Sequence, residues 1–143
     1  SALYAGQFKI TSVIAGDAVV IESHNLKLRV RLAGIDSPEI PGQPYGQHAK
    51  RHLADLVLNK SVDLKRYGKD RYGWILGVLY AGTKNVNLEM VKAGYAEVSG
   101  EQLPKGFNIA PYLMAEAEAR KAKQGMWVQG DNYVSPGHWR KMH

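Results

Sequence analysis

The sequence has no cysteine in its 143 residues. That absence removes thiol nucleophiles, cysteine-held zinc and disulfide bonds together. It leaves the compartment open, because a domain of this length can be stable outside the cell without disulfides. Long apolar runs are also missing. None approaches the ~18 residues of a membrane span, so no membrane partner is expected. The chain opens at Ser1 without a charged and apolar leader, the expectation being that a leader was never present or was removed. Acidic residues are comparatively few: 13 Asp and Glu against 19 Lys and Arg leave a formal charge of +6 and a pI near 9.5. A basic surplus suits a polyanion partner, whose neutralised phosphates release counterions, and suits equally a solubilised surface with no such role.

What is present reads as one globular domain. Apolar residues make up 45% of the chain and charged residues 22%, enough to build a single core. Residues 8–14 alternate loosely and 18–22 (AVVIE) form a β-branched run. In 26–35 (LKLRVRLAGI) Leu26, Leu28, Val30 and Leu32 take one side and Lys27, Arg29 and Arg31 the other, which predicts a strand. The proline-rich 37–45 (SPEIPGQPY) predicts a loop, and 46–59 a helix with Ala49, Leu53, Leu56 and Val57 on its buried face. Strands are expected over 61–65 and 75–80, separated by a polar loop, with a short strand over 95–98. Asn87 is the expected N-cap of a short helix that Gly94 stops, and a last helix is expected over 110–123, its Trp127 neighbour packing it onto the barrel. The tail over 129–143 reads as irregular, its HWRK segment as a surface docking piece or a weak phosphate contact. The sum is a mainly β fold with α, a five-stranded OB-fold barrel with three packed helices.

Three acidic residues sit where chemistry could use them. Asp17 occupies a Gly-Asp turn, Asp36 closes the third strand, and Glu39 follows in the loop DSPE. Carboxylates at strand ends can converge on a hard cation, although aspartate is also simply favoured in turns. Arg31 lies within reach of a phosphate held near Asp36, or serves only as an exposed strand arginine. In KRYGKDRYG, Arg66, Lys69 and Arg71 interleave with Tyr67 and Tyr72, a pattern that suits single strands and equally an ordinary exposed loop. His48 and His52 stand at i,i+4, a zinc-compatible spacing, but no third ligand accompanies them and a solvated helix face is the expectation.

The run RLAGIDSPE, preceded by AGDAVVI and followed by DRYG and VNLEMVKAGYAEV, closely resembles the staphylococcal-nuclease-like (thermonuclease) family, and AEARKAKQGMW resembles its closing segment. The likeness spans about residues 8–128. It implies calcium-assisted hydrolysis of DNA and RNA phosphodiesters. It also implies that Asp17 and Asp36 bind Ca2+ with the backbone carbonyl of Ser37, that Glu39 activates water, and that Arg31 stabilises charge on the phosphoryl group. A largely exported family further implies a secreted or periplasmic location.

This sequence departs from the family pattern in ways that matter. Trp74 follows Tyr72-Gly73 where the family has a second catalytic arginine, and an indole cannot replace a bidentate cation. Arg71 is one candidate to reach inward in its place. Ala15 and Ala18 replace residues that support the cation site, and Gly100 and Gln102 stand where two tyrosines pack on the bound nucleotide. The expectation is a monomeric nuclease acting on single-stranded or locally melted DNA or RNA, weakened by Trp74. Two alternatives are an inactive nucleic-acid-binding module and a protein-interaction scaffold on the same barrel.

Overall fold

The computed structural model describes residues 3–101 and 103–143. Strands β1 (Leu3–Ala15), β2 (Ala18–Ser23) and β3 (Leu26–Leu32) form an antiparallel meander, followed by the two-residue strand β4 (Ile35–Asp36). Helix α1 (Gly46–Val57) leads to β5 (Ser61–Lys69) and β6 (Ile75–Ala81), then to β7 (Lys84–Asn85) and α2 (Val86–Lys92). Strand β8 (Glu97–Val98), α3 (Ala110–Lys121), a 3-10 segment (Gly125–Asn132) and α4 (Pro136–Met142) complete the chain.

The main sheet runs β3-β2-β1-β5-β6-β7, and a parallel pairing of β3 with β6 closes its first five strands into a barrel. This is the expected five-stranded barrel, with β7 as an extra strand. Closure satisfies the hydrogen-bonding edges that an open sheet would expose. Gly77 makes one close approach possible: a Cβ there would lie 2.6 Å from Leu64 Cδ1. The interior is filled by Ile10, Val19, Val30, Leu32, Leu64 and Leu79, each at most 1% exposed. Full burial of such side chains contributes about 1.5–3 kcal/mol each. Helix α1 adds Ala49, Leu53 and Val57, as its periodicity predicts.

Four expectations need correction. The third strand stops at Leu32, because Gly34 at φ 80° turns the chain and sets Asp36 on β4 against β8. Residues 66–69 are not loop, since β5 continues through Lys69 with a register shift against β6. The cap of α2 is Asn85, whose side chain accepts from Leu88 N, whereas Asn87 lies buried inside the helix. Asn87 instead accepts from Leu79 N at 3.2 Å and donates to the carbonyls of Ala33 (3.0 Å) and Gly77 (3.1 Å), tying α2 to the barrel seam. Finally, the tail is not irregular throughout. Ser135 caps α4 by accepting from His138 N, Pro136 suits its first turn, and Arg140 and Lys141 suit its last.

Candidate functional site

Asp17, Arg31, Asp36, Ser37 and Glu39 meet at one end of the barrel. The β2–β3 ladder sets Ala18 opposite Arg31, and Leu32 N donates to the carbonyl of Asp17 at 2.8 Å, so the β1–β2 turn and β3 present their side chains together. Gly16 admits the next layer: a Cβ there would stand 2.6 Å from Ser37 Oγ and 2.7 Å from Ala49 Cβ. Ser37 N donates to Asp17 Oδ2 at 3.0 Å. One nitrogen of Arg31, Nη2, lies 3.2 Å from Asp17 Oδ2 and 3.3 Å from Asp36 Oδ1, bridging the two carboxylates. Asp17, Asp36 and Ser37 are buried; Arg31 and Glu39 are half-buried.

A residue the sequence reading missed completes the group. Arg140, on α4, donates to Asp36 Oδ2 at 2.9 Å, to Asp36 Oδ1 at 3.3 Å and to Glu39 Oε1 at 2.5 Å. The HWRK segment, expected as a docking piece or a weak phosphate contact, docks in the site through Arg140. Its position is secured through Gln43, whose carboxamide accepts from Glu39 N and donates to the carbonyl of Val134, both at 2.8 Å. Tyr133 hydroxyl donates to Glu97, which faces Asp36 across β4 and β8.

The electrostatics follow from burial. Desolvation pushes Asp17 up to about 6, with the Arg31 guanidinium pulling it back and the Asp36 carboxylate adding to the rise. Pairing with Asp36 keeps Arg140 firmly protonated, above its ordinary value. Burial also raises Glu97, against the pull of the Tyr133 hydrogen bond. A folded-state value for Asp17 above its unfolded 3.8 favours the protonated native state. Its contribution is fully present below pH 3.8 and is lost as pH rises through about 6. Denaturant melts in chelator should show this decline in the parent and not in Asp17→Asn.

Among the described residues no three His, Asp or Glu side chains form a ready metal-binding cluster. The residues that could hold a hard cation are Asp17 and Asp36, by their carboxylates, with the oxygens of Ser37, whose buried hydroxyl has no hydrogen-bond partner among the described residues. An all-oxygen set with an unmatched buried hydroxyl fits calcium or magnesium in chemical type.

The expected strand-binding residues divide between two depressions. Arg66, Lys69 and Trp74 line one, joined by Lys27 and Arg29 from the polar face of β3. Arg29 Cζ stands 5.1 Å over the Trp74 ring, so that indole is covered by a cation rather than aimed among the carboxylates. Arg71 and Tyr72 border the second with Lys69. Arg71 stacks 5.1 Å over Tyr72 and both are exposed, so Arg71 does not reach inward. Lys27 and Arg29 were signalled by their alternation with Arg31, but their union with β5 needed the barrel.

His48 and His52 pack against Tyr45 and Tyr95, with ring centroids 5.1 and 5.3 Å apart. Trp127 is buried with Ala119 and Met126, packing α3 against Tyr45 and Tyr133 rather than onto the barrel interior. Gly100 is exposed, and Gln102 lies outside the described residues.

Residues 29–129 match the family of staphylococcal nuclease homologues. A Haemophilus influenzae protein described as an uncharacterized endonuclease is 38% identical over 93% of this chain and 72% of its own length. An Escherichia coli protein of the same description is 37% identical over 92% of this chain and 83% of its own. A Shigella flexneri protein described as a micrococcal nuclease is 33% identical over 93% and 79%. With the closed five-stranded barrel and matches that span nearly its whole length, the chain belongs to the staphylococcal nuclease homologue family.

Proposed function

We propose that the protein is a nuclease that hydrolyses phosphodiester bonds of DNA or RNA with the help of one calcium ion. The observation that carries this reading is the bridge of Arg31 Nη2 between Asp17 and Asp36, with Glu39 joined to Asp36 through Arg140. The description of three relatives as nucleases supports the same chemistry. Held by Asp17, Asp36 and Ser37, the cation would act as a Lewis acid on a phosphoryl oxygen.

The chain's own residues supply the rest. Arg31 offers a guanidinium to the oxygens that gain charge in the transition state. Glu39 takes a proton from the attacking water as its oxygen bonds to phosphorus. The ester P–O bond breaks, and the departing oxygen takes its proton from solvent. Trp74 brings no charge to this step, so the rate is weakened wherever Arg31 is the only guanidinium at work. Titration with calcium in a calorimeter should give a binding heat that disappears in Asp36→Ala; equal heats in both would place the cation elsewhere.

The Trp74 depression is read as the path of the strand, its cations, Arg29 over the indole among them, facing the phosphates. Replacing Arg29, Arg66 and Lys69 together by Gln should reduce the salt slope of single-strand binding by about 2, since each neutralised single-strand phosphate contributes ~0.7. A parent slope near zero would remove this electrostatic mode. A second reading, a binding module that no longer cuts, draws on the same basic and aromatic depression.

A further inference from the structure

We infer that Arg140, carried on the C-terminal helix, is a second catalytic guanidinium of this site, binding the phosphoryl group that Arg31 binds from the barrel side. The inference rests on the nuclease reading. Two guanidinia converge on Asp36 from different elements: Arg31 from β3 and Arg140 from α4, both donating to the same Oδ1. Arg140 also holds Glu39, so it stands between the carboxylate proposed to bind the cation and the one proposed to receive the water's proton.

Its location suits a substrate contact. The Arg140 side chain is 38% exposed whereas that of Asp36 is 5% exposed, so the guanidinium caps the acidic group at its solvent side, where a strand would arrive. A cleft opens beside it, with Asp36 at one wall and Gly137, His138 and Lys141 of α4 at another. Helix α4 is held there by the Gln43 link to Val134 and by its own Ser135 cap.

A cation on Asp36 would compete with Arg140 for that carboxylate. Asp36 gives both oxygens to Arg140 and Oδ1 also to Arg31, so a cation there would share a crowded carboxylate with both guanidinia. With Asp36 engaged by a cation, Arg140 would lose part of its carboxylate pairing, and the planar fork that matches a carboxylate also matches two phosphoryl oxygens. The charge absent at Trp74 is thus supplied from the other end of the chain. Sequence spacing gives no hint of it, because Arg140 and Asp36 lie 104 residues apart.

The test is cleavage of an end-labelled single-stranded oligodeoxynucleotide in calcium by the full chain carrying Arg140→Ala or Arg140→Lys, with melts confirming that each variant folds. The expected result is a kcat at least about 100-fold lower for Arg140→Ala, a KM raised only about fivefold, and a partial return of both with lysine. An unchanged or higher kcat overturns the proposal, a higher one marking α4 as a plug over the site. A separate arm uses Glu39→Gln to prevent cutting and compares strand affinity in calcium with and without Arg140→Ala. At least about fivefold weaker binding, reduced less by Arg140→Lys, supports contact with phosphate, and equal affinity contradicts it. If the parent cuts nothing, the nuclease reading fails and this arm still decides whether Arg140 meets the strand.

Discussion

Arg31→Ala is expected to slow cleavage by about 10³-fold or more, within the 10³–10⁵ range that a transition-state arginine contributes in phosphoryl transfer. The same change should destabilise the protein in chelator, because it removes the nitrogen that bridges Asp17 and Asp36 and leaves two buried carboxylates with less compensation. Breaking a buried pair costs about 3–5 kcal/mol, and Arg140 on Asp36 should hold the loss to the lower part of that range. Calcium should return part of this stability, since a cation taken up by the same oxygens would replace the lost charge. Single-turnover kinetics read the first effect and denaturant melts with and without calcium read the second. An Arg31→Ala protein that cuts like the parent would remove Arg31 from the chemistry.

Glu39→Gln should lower kcat by about 10²–10⁴, the range for loss of a positioned base, with little change in folding stability. The amide keeps the size of the side chain and can still accept from Arg140, so the helix dock should survive while the proton acceptor is gone. The expected pattern is a fall in kcat with KM nearly constant, measured beside a melting curve that matches the parent. A variant with unchanged kcat would show that Glu39 is only an anchor for Arg140.

The barrel was legible because its signals are local. LKLRVRL alternates over the whole of β3, and the buried spacing of Ala49, Leu53 and Val57 defines α1 without reference to the rest of the chain. The RYGKDRYG segment misled because its polar side chains point outward from a strand, so a continuation of β5 has the composition of a loop. Asn85 and Asn87 are two residues apart and both plausible as caps; only the barrel seam decides that Asn87 turns inward to Ala33 and Gly77.

The candidate site divides along the same line. Asp17, Arg31, Asp36 and Glu39 lie within 23 positions of one another and resemble a known motif, so they could be named from the sequence. Arg140 sits in a polar stretch with glycine and proline around it and no apolar period to mark a helix. Its pairing depends on Gln43 fastening Val134 near Glu39, a long-range contact that no local pattern encodes. Lys27 and Arg29 joined the Trp74 depression for a related reason: β3 meets β6 only when the barrel closes.

The central claim is that this group of residues cuts phosphodiester bonds with calcium. Its most direct test is digestion of end-labelled single- and double-stranded substrates by the parent and by Asp36→Ala, each in calcium, in magnesium and in chelator. The account predicts fragments from the parent in calcium, none in chelator, and none from Asp36→Ala under any condition. Cleavage by the parent in chelator, or equal cleavage by Asp36→Ala, would contradict it.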